Sequence, residues 1–218
     1  MKKYIILLLG LFVLTGCTNI STLDYDEVID KVLKEEIHRK NTYLEGYKLY
    51  LPEHMILIGD LHGNEILYSY GDRYYLYVDL VSYYNKKQNK YNVEKQEFLY
   101  SKDIDYNKLS GYVTISKVNN RYLLEIMYNY AKIEVVTDDV NRAMANSLIV
   151  LKNIEYNYKI IDSMIGSNTL VYDSELFTLL GPKTNKNDNF LEYVEEYGVY
   201  DEANAEDDED VIEMQQAD

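Results

Sequence analysis

Residues 112–130 read YVTISKVNNRYLLEIMYNY, and this stretch decides the fold. Two runs rich in β-branched and aromatic residues, Tyr112 to Val118 and Arg121 to Tyr130, meet across Asn119-Asn120, a pair that tolerates the positive φ of a tight turn. The pattern is a β-hairpin. Lys132 to Val136 reads as a continuation of its second strand. Asp138 is then placed to cap a helix whose Val140, Met144, Leu148 and Leu151 fall on one stripe. Ile154 to Ile161 reads as a last strand.

Upstream, the strongest strand pattern is Tyr74 to Tyr84, entered through Gly71-Asp72. Tyr74, Leu76, Val78 and Leu80 alternate onto one face, the expected core. Tyr75, Tyr77, Asp79 and Tyr83 fall on the other, a half-wet face, because a phenol buries its ring and keeps a polar tip in water. Before it come Tyr47 to Leu51, stopped by Pro52, and two strand candidates, Met55 to Ile58 and Glu65 to Tyr70, around Gly59 to Asn64. The chain opens with a helix over 24–37. Asp24 and Glu27 have capping-box spacing, and Tyr25, Ile29, Val32, Leu33 and Ile37 form its apolar stripe. Asn41 and Gly46 mark its end. Residues 85–110 are polar and less regular, a loop with a short helix or strand, and Phe177 with Phe190 to Val194 marks a C-terminal helical segment.

This order of elements predicts an α+β fold: a single domain over 23–199 with a largely antiparallel sheet, packed by an N-terminal and a later amphipathic helix. Over roughly residues 45–161 it resembles the PsbP-type α/β/α sandwich, through the strand ending in YLPEHM, the hairpin and the closing helix ANSLIVLKNIEYN. That resemblance implies the fold of small assembly or binding factors.

Tyrosine is the outlier of the composition, with 25 copies against 4 Phe and no Trp. Tyr, Asn, Lys and Ile share AT-rich codons, so a low-GC genome alone produces such a bias. The functional reading is a surface of amphipathic rings. Net charge is −15, with 12 acidic residues and no Lys or Arg from Glu192 onward. The domain itself is nearly balanced, and 200–218 is expected to be a disordered acidic tail. No basic stripe marks a nucleic-acid surface.

The N-terminus carries the clearest functional signal. Met1-Lys2-Lys3 is a cationic start, Tyr4 to Val13 an apolar run, and Leu14-Thr15-Gly16-Cys17 closes it. A run this short is a secretory signal (1–16) and not a membrane span, which needs about 20 apolar residues. Leu14-Thr15-Gly16-Cys17 resembles the lipobox of bacterial lipoproteins, and the whole chain is similar to lipoproteins of low-GC bacteria, from which no function follows. The resemblance implies cleavage before Cys17, acylation with chains such as palmitate, and a short tether over 17–22. The protein would then sit on the extracytoplasmic face of the cell membrane. Cys17 is the only cysteine, which excludes an intramolecular disulfide.

Met55 to Asn64, MILIGDLHGN, resembles the opening motif of calcineurin-like metallophosphoesterases, where Asp60 and His62 would hold one metal of a two-metal site. The chain has only His38, His54 and His62, so it cannot supply the later histidine ligands of such enzymes. The structural alternative is a polar loop with turn glycines. No Gly-x-Ser-x-Gly elbow or phosphate loop is present. The expectation is a non-enzymatic protein without a cofactor or metal, which binds or assembles an unknown envelope protein or polymer. The alternative is a ligand-binding module for a small solute or glycan on Tyr75, Tyr77 and Tyr83. Those rings would serve structure instead if the N-terminal helix covers them.

Overall fold

A computed structural model describes residues 20–61, 64–88 and 98–166. All fall within the compact unit Met1–Pro182, and the second unit, Lys183–Asp218, lies outside them. Cys17, His62, Phe177, Phe190 to Val194 and the acidic segment also lie outside the described residues.

A single 3-10 turn, Ile20–Thr22, leads into helix α1 (Tyr25–Lys34). Two short strands follow, β1 (Thr42–Leu44) and β2 (Tyr47–Leu49), which form a small antiparallel sheet with β10 (Glu155–Tyr156). The main sheet has seven strands: β3 (Ile56–Leu61), β4 (Asn64–Ser69), β5 (Asp72–Val78), β6 (Tyr100–Tyr106), β7 (Leu109–Val118), β8 (Arg121–Tyr128) and β9 (Ala131–Thr137). They lie in the order β3-β4-β5-β9-β8-β7-β6, every neighbour antiparallel. Helices α2 (Leu80–Tyr84), α3 (Val140–Lys152) and α4 (Tyr158–Gly166) complete the described residues. The domain is therefore α+β with a large antiparallel sheet, as the sequence pattern predicts.

Period-2 alternation decides which side of the sheet becomes core. Tyr74 and Leu76 of β5 face Val135 and Ile133 of β9, which in turn face Leu124 and Ile126 of β8, and all six are buried. Helix α3 lies across β8 and β9 on this side through Ala143, Met144, Leu148 and Leu151. Helix α1 lies against α3, burying Val28, Ile29, Val32 and Leu33. Both ends of α1 are tied to α3. Asn141 holds the chain just before it, and the Lys152 ammonium donates to the carbonyls of Val32, Leu33 and Glu35 at its C-terminus.

The hairpin is present, with Asn119 at positive φ in its turn (54°). Five other expectations need correction. Helix α1 stops at Lys34 instead of 37, because Lys152 satisfies carbonyls that another turn would have used. Lys132 to Val136 does not continue the hairpin's second strand. Asn129 and Tyr130, both at positive φ, reverse the chain into β9. The long strand over 74–84 ends at Val78, where Asp79 accepts the N–H of Ser82 at 2.8 Å and starts α2. The cap of α3 is Asp139, whose Oδ1 accepts the Arg142 N–H at 3.1 Å, while the neighbouring Asp138 pairs with Arg121. The strand proposed for 154–161 survives only as β10, after which Asn157 opens α4. Of the expected core residues, Leu76, Leu80, Ile126 and Leu148 are buried and Val78 is half-buried.

Candidate functional site

The end of the sheet where β5 and β8 start and β9 finishes carries a set of polar side chains facing one another. Asp72 opens β5 and is buried. Its carboxylate accepts from the Arg121 guanidinium and, at 2.7 Å, from the Thr137 hydroxyl, with Arg142 3.9 Å away. Arg142 also pairs with Asp139 at 3.6 Å. One carboxylate thus ties together three strands and the start of α3. Breaking such a partly buried set by removing one partner leaves an uncompensated charge, so its role is to fix the strand ends.

The same end receives the start of the described chain. Asn141 in the first turn of α3 donates to the carbonyls of Ile20 (3.0 Å) and Leu23 (2.8 Å), closing the turn that precedes α1. Beside it opens a cleft of about 690 Å³, lined by Leu23, Asp24, Tyr25, Tyr122, Asp138 and Val140. The Arg142 guanidinium lies 4.7 Å from the centre of the Tyr70 ring, and Tyr70 stands edge-on to His54 at 5.4 Å. These contacts link the chain at Ile20–Leu23, α3 and the β4–β5 turn.

The three tyrosines selected from the sequence are not brought together. Tyr75 lies directly across from Glu134, and Tyr77 across from Lys132, on the side of the sheet opposite α1 and α3. Helix α1 therefore does not cover them, contrary to the structural expectation. Tyr83 is on α2, stacked on Tyr156 at 4.0 Å and edge-on to Tyr130 at 5.6 Å. The reason is Asp79. By capping α2 it breaks the alternation that put Tyr83 in line with Tyr75 and Tyr77.

Sequence reasoning missed what Tyr75 and Tyr77 border. Lys132 and Glu134, each 1% exposed, pair at 2.6 Å on the central strand β9, with Glu125 of β8 at 4.0 Å from the ammonium and Tyr112 donating to Glu125. A signal for this exists in Ala131 to Thr137, where Lys132 and Glu134 alternate with Ile133 and Val135: opposite charges two apart share one face of a strand. At the far end of the sheet a second group escaped notice, the rings of Tyr47, Tyr83, Tyr130 and Tyr156 over buried Asp79. Burial raises the Asp79 carboxyl above the ordinary range, opposed by the Ser82 N–H, and burial raises the Tyr156 phenol well above its ordinary value.

Asp60, which a metallophosphoesterase site would need as a metal ligand, lies inside β3 across from Glu65 and is exposed. Among the described residues no three His, Cys, Asp or Glu side chains converge as a metal-binding group.

No family model matches the chain, and no curated protein matches it. Among solved structures, a GTP binding regulator from Thermotoga maritima is similar over 59% of this chain and 87% of its own length, with 12% identity and a TM-score of 0.23. A likeness at that score carries no argument about fold or function.

Proposed function

We propose that this protein is a lipoprotein, anchored through Cys17 to the extracytoplasmic face of the cell membrane, that acts as a non-enzymatic binding or assembly factor at the cell envelope. One observation carries the reading: the chain's sole cysteine closes Leu14-Thr15-Gly16-Cys17, directly after a cationic start and an apolar run of signal length. Two acyl chains anchor stably where one binds only marginally.

The alternative of a solute or glycan module loses its three-ring platform, because Tyr83 lies on α2 and away from Tyr75 and Tyr77. The test is metabolic labelling with a fatty-acid analogue in the wild-type chain and in Cys17→Ser. Wild type should carry the label, and the variant should accumulate as an unlabelled precursor. Equal labelling of the two would end the proposal. Affinity capture of the lipidated protein from membranes then identifies the partner.

A further inference from the structure

Strand β6 is one edge of the seven-stranded sheet, and among the described residues only β7 pairs with it. Such an edge turns a row of backbone N–H and C=O groups away from the sheet. Helix α1 stands beside it. Tyr25 packs edge-on to Tyr100 at 5.1 Å, and the Tyr100 hydroxyl donates to Asp26 at 2.8 Å. The Lys102 ammonium reaches Asp26 at 2.8 Å and Asp30 at 3.6 Å. Beyond these ties lies a cleft of about 300 Å³, with Ile29, Asp30, Leu33 and Lys34 of α1 on one wall and Lys102 through Tyr106 of β6 on the other.

Successive side chains of a strand point to opposite faces. A cleft that touches five strand residues in a row therefore meets the strand along its edge, where the backbone is, and not over one face. Five residues give about 14 Å of edge, room for an extended peptide of similar length. The two sides of that edge differ. On the α1 side Ile104 is buried together with Ile29 and Leu33, so the floor is apolar. Lys102 shares this side, but Asp26 and Asp30 take up its charge, and Lys34 pairs with Asp30 at 3.7 Å. On the other side Asp103 and Asp105 lie two apart, both exposed and in no ion pair among the described residues. Charges on an edge strand deter indiscriminate pairing, and two of one sign on one face also select a partner of the opposite sign.

We infer that the cleft between α1 and β6 takes an extended segment of a partner protein as an added strand, with apolar side chains turned toward Ile29, Leu33 and Ile104 and Lys or Arg turned toward Asp103 and Asp105. Main-chain hydrogen bonds to β6 supply the affinity, and the alternation supplies the choice of partner. The inference rests on the reading of this protein as a binding factor and names its partner class, a basic segment with period-2 alternation. The lipid anchor plays no part in it.

The probes are two fluorescent peptides of identical composition, one alternating valine and lysine and one with its lysines in a block, added to the full chain in non-ionic detergent. The alternating peptide should bind about tenfold more tightly or better, and amide exchange within residues 102–106 should slow when it binds. The double variant Asp103→Lys/Asp105→Lys changes exposed positions, which keeps the folding risk low. It should weaken that peptide by about tenfold or more and favour a valine–glutamate counterpart. Equal affinity for the two isomers would overturn the inference, as would binding that leaves exchange at 102–106 unchanged or ignores the charge reversal. Exchange there that slows with protein concentration alone would assign the cleft to a second copy. Protection of every amide in 102–106 in dilute protein without peptide would assign it to this chain itself, and either result overturns the inference as well. The peptide should bind Cys17→Ser equally, so failed acylation leaves the cleft standing and failed peptide binding leaves the anchor standing.

Discussion

One side-chain nitrogen of Asn141 serves two carbonyls, those of Ile20 at 3.0 Å and Leu23 at 2.8 Å. A residue in the first turn of α3 thereby fixes the chain before α1, more than a hundred positions earlier. The helix it precedes is held at its other end by Lys152 from the last turn of α3. The pair α1–α3 is one parallel unit clamped at both ends.

Replacing Asn141 with Ala should release residues 20–23. With two hydrogen bonds of about 0.5–1.5 kcal/mol each at stake, thermal stability should fall by about 1–2 kcal/mol. Limited proteolysis should cut faster before Asp24 than in wild type. Unchanged cleavage and an unchanged melting temperature would show that residues 20–23 are held by something else.

Leu148 is fully buried under α3, against the sheet, whereas Val78 is only half-buried at the end of β5. Leu148→Ala should cost about 2–5 kcal/mol, and Val78→Ala well under half of that. Chemical denaturation of both variants measures the ratio. Equal costs would contradict the placement of Val78 at the rim.

Asp79 contributes a pH dependence. Burial raises its carboxyl above the ordinary range, opposed by the Ser82 N–H. A group whose pKa is higher folded than unfolded adds stability in its protonated form. That contribution is complete below the unfolded value and disappears as pH rises through the folded one. Asp79→Asn retains an oxygen acceptor for Ser82 and has no proton to lose. Its stability relative to wild type should therefore improve as pH rises above the unfolded value of about 4. Parallel pH–melting curves for the two proteins would exclude Asp79 as the source.

Deleting residues 201–218 removes nine acidic side chains and only Val211, Ile212 and Met214 as sizeable apolar groups. Ordering eighteen residues would cost roughly 1–2 kcal/mol each in backbone entropy, more than three apolar side chains repay. The truncated protein should melt at the same temperature or slightly higher, with the gain largest at low salt, where like charges are least screened. A marked fall would mean that this segment docks on the domain, and its docking place would become a binding groove.

Local patterns were sufficient for the hairpin at Asn119-Asn120, the capping residue Asp24, the stripe of α3 and the α+β class, because each depends on residues close in sequence. The Asp79 cap was also local and legible in principle. Tyrosine-rich alternation through residue 84 concealed it, and with it the separation of Tyr83 from Tyr75 and Tyr77. Tertiary structure alone decided the rest. The end of α1 depends on an ammonium from Lys152, the burial of Lys132 and Glu134 on the central place of β9 in the sheet, and the Asp72–Arg121–Thr137 cluster on strands that meet only after folding. Short-range periodicity specifies which face of an element is apolar. It carries no information on which distant element will meet that face, because that choice is made by packing among the whole set.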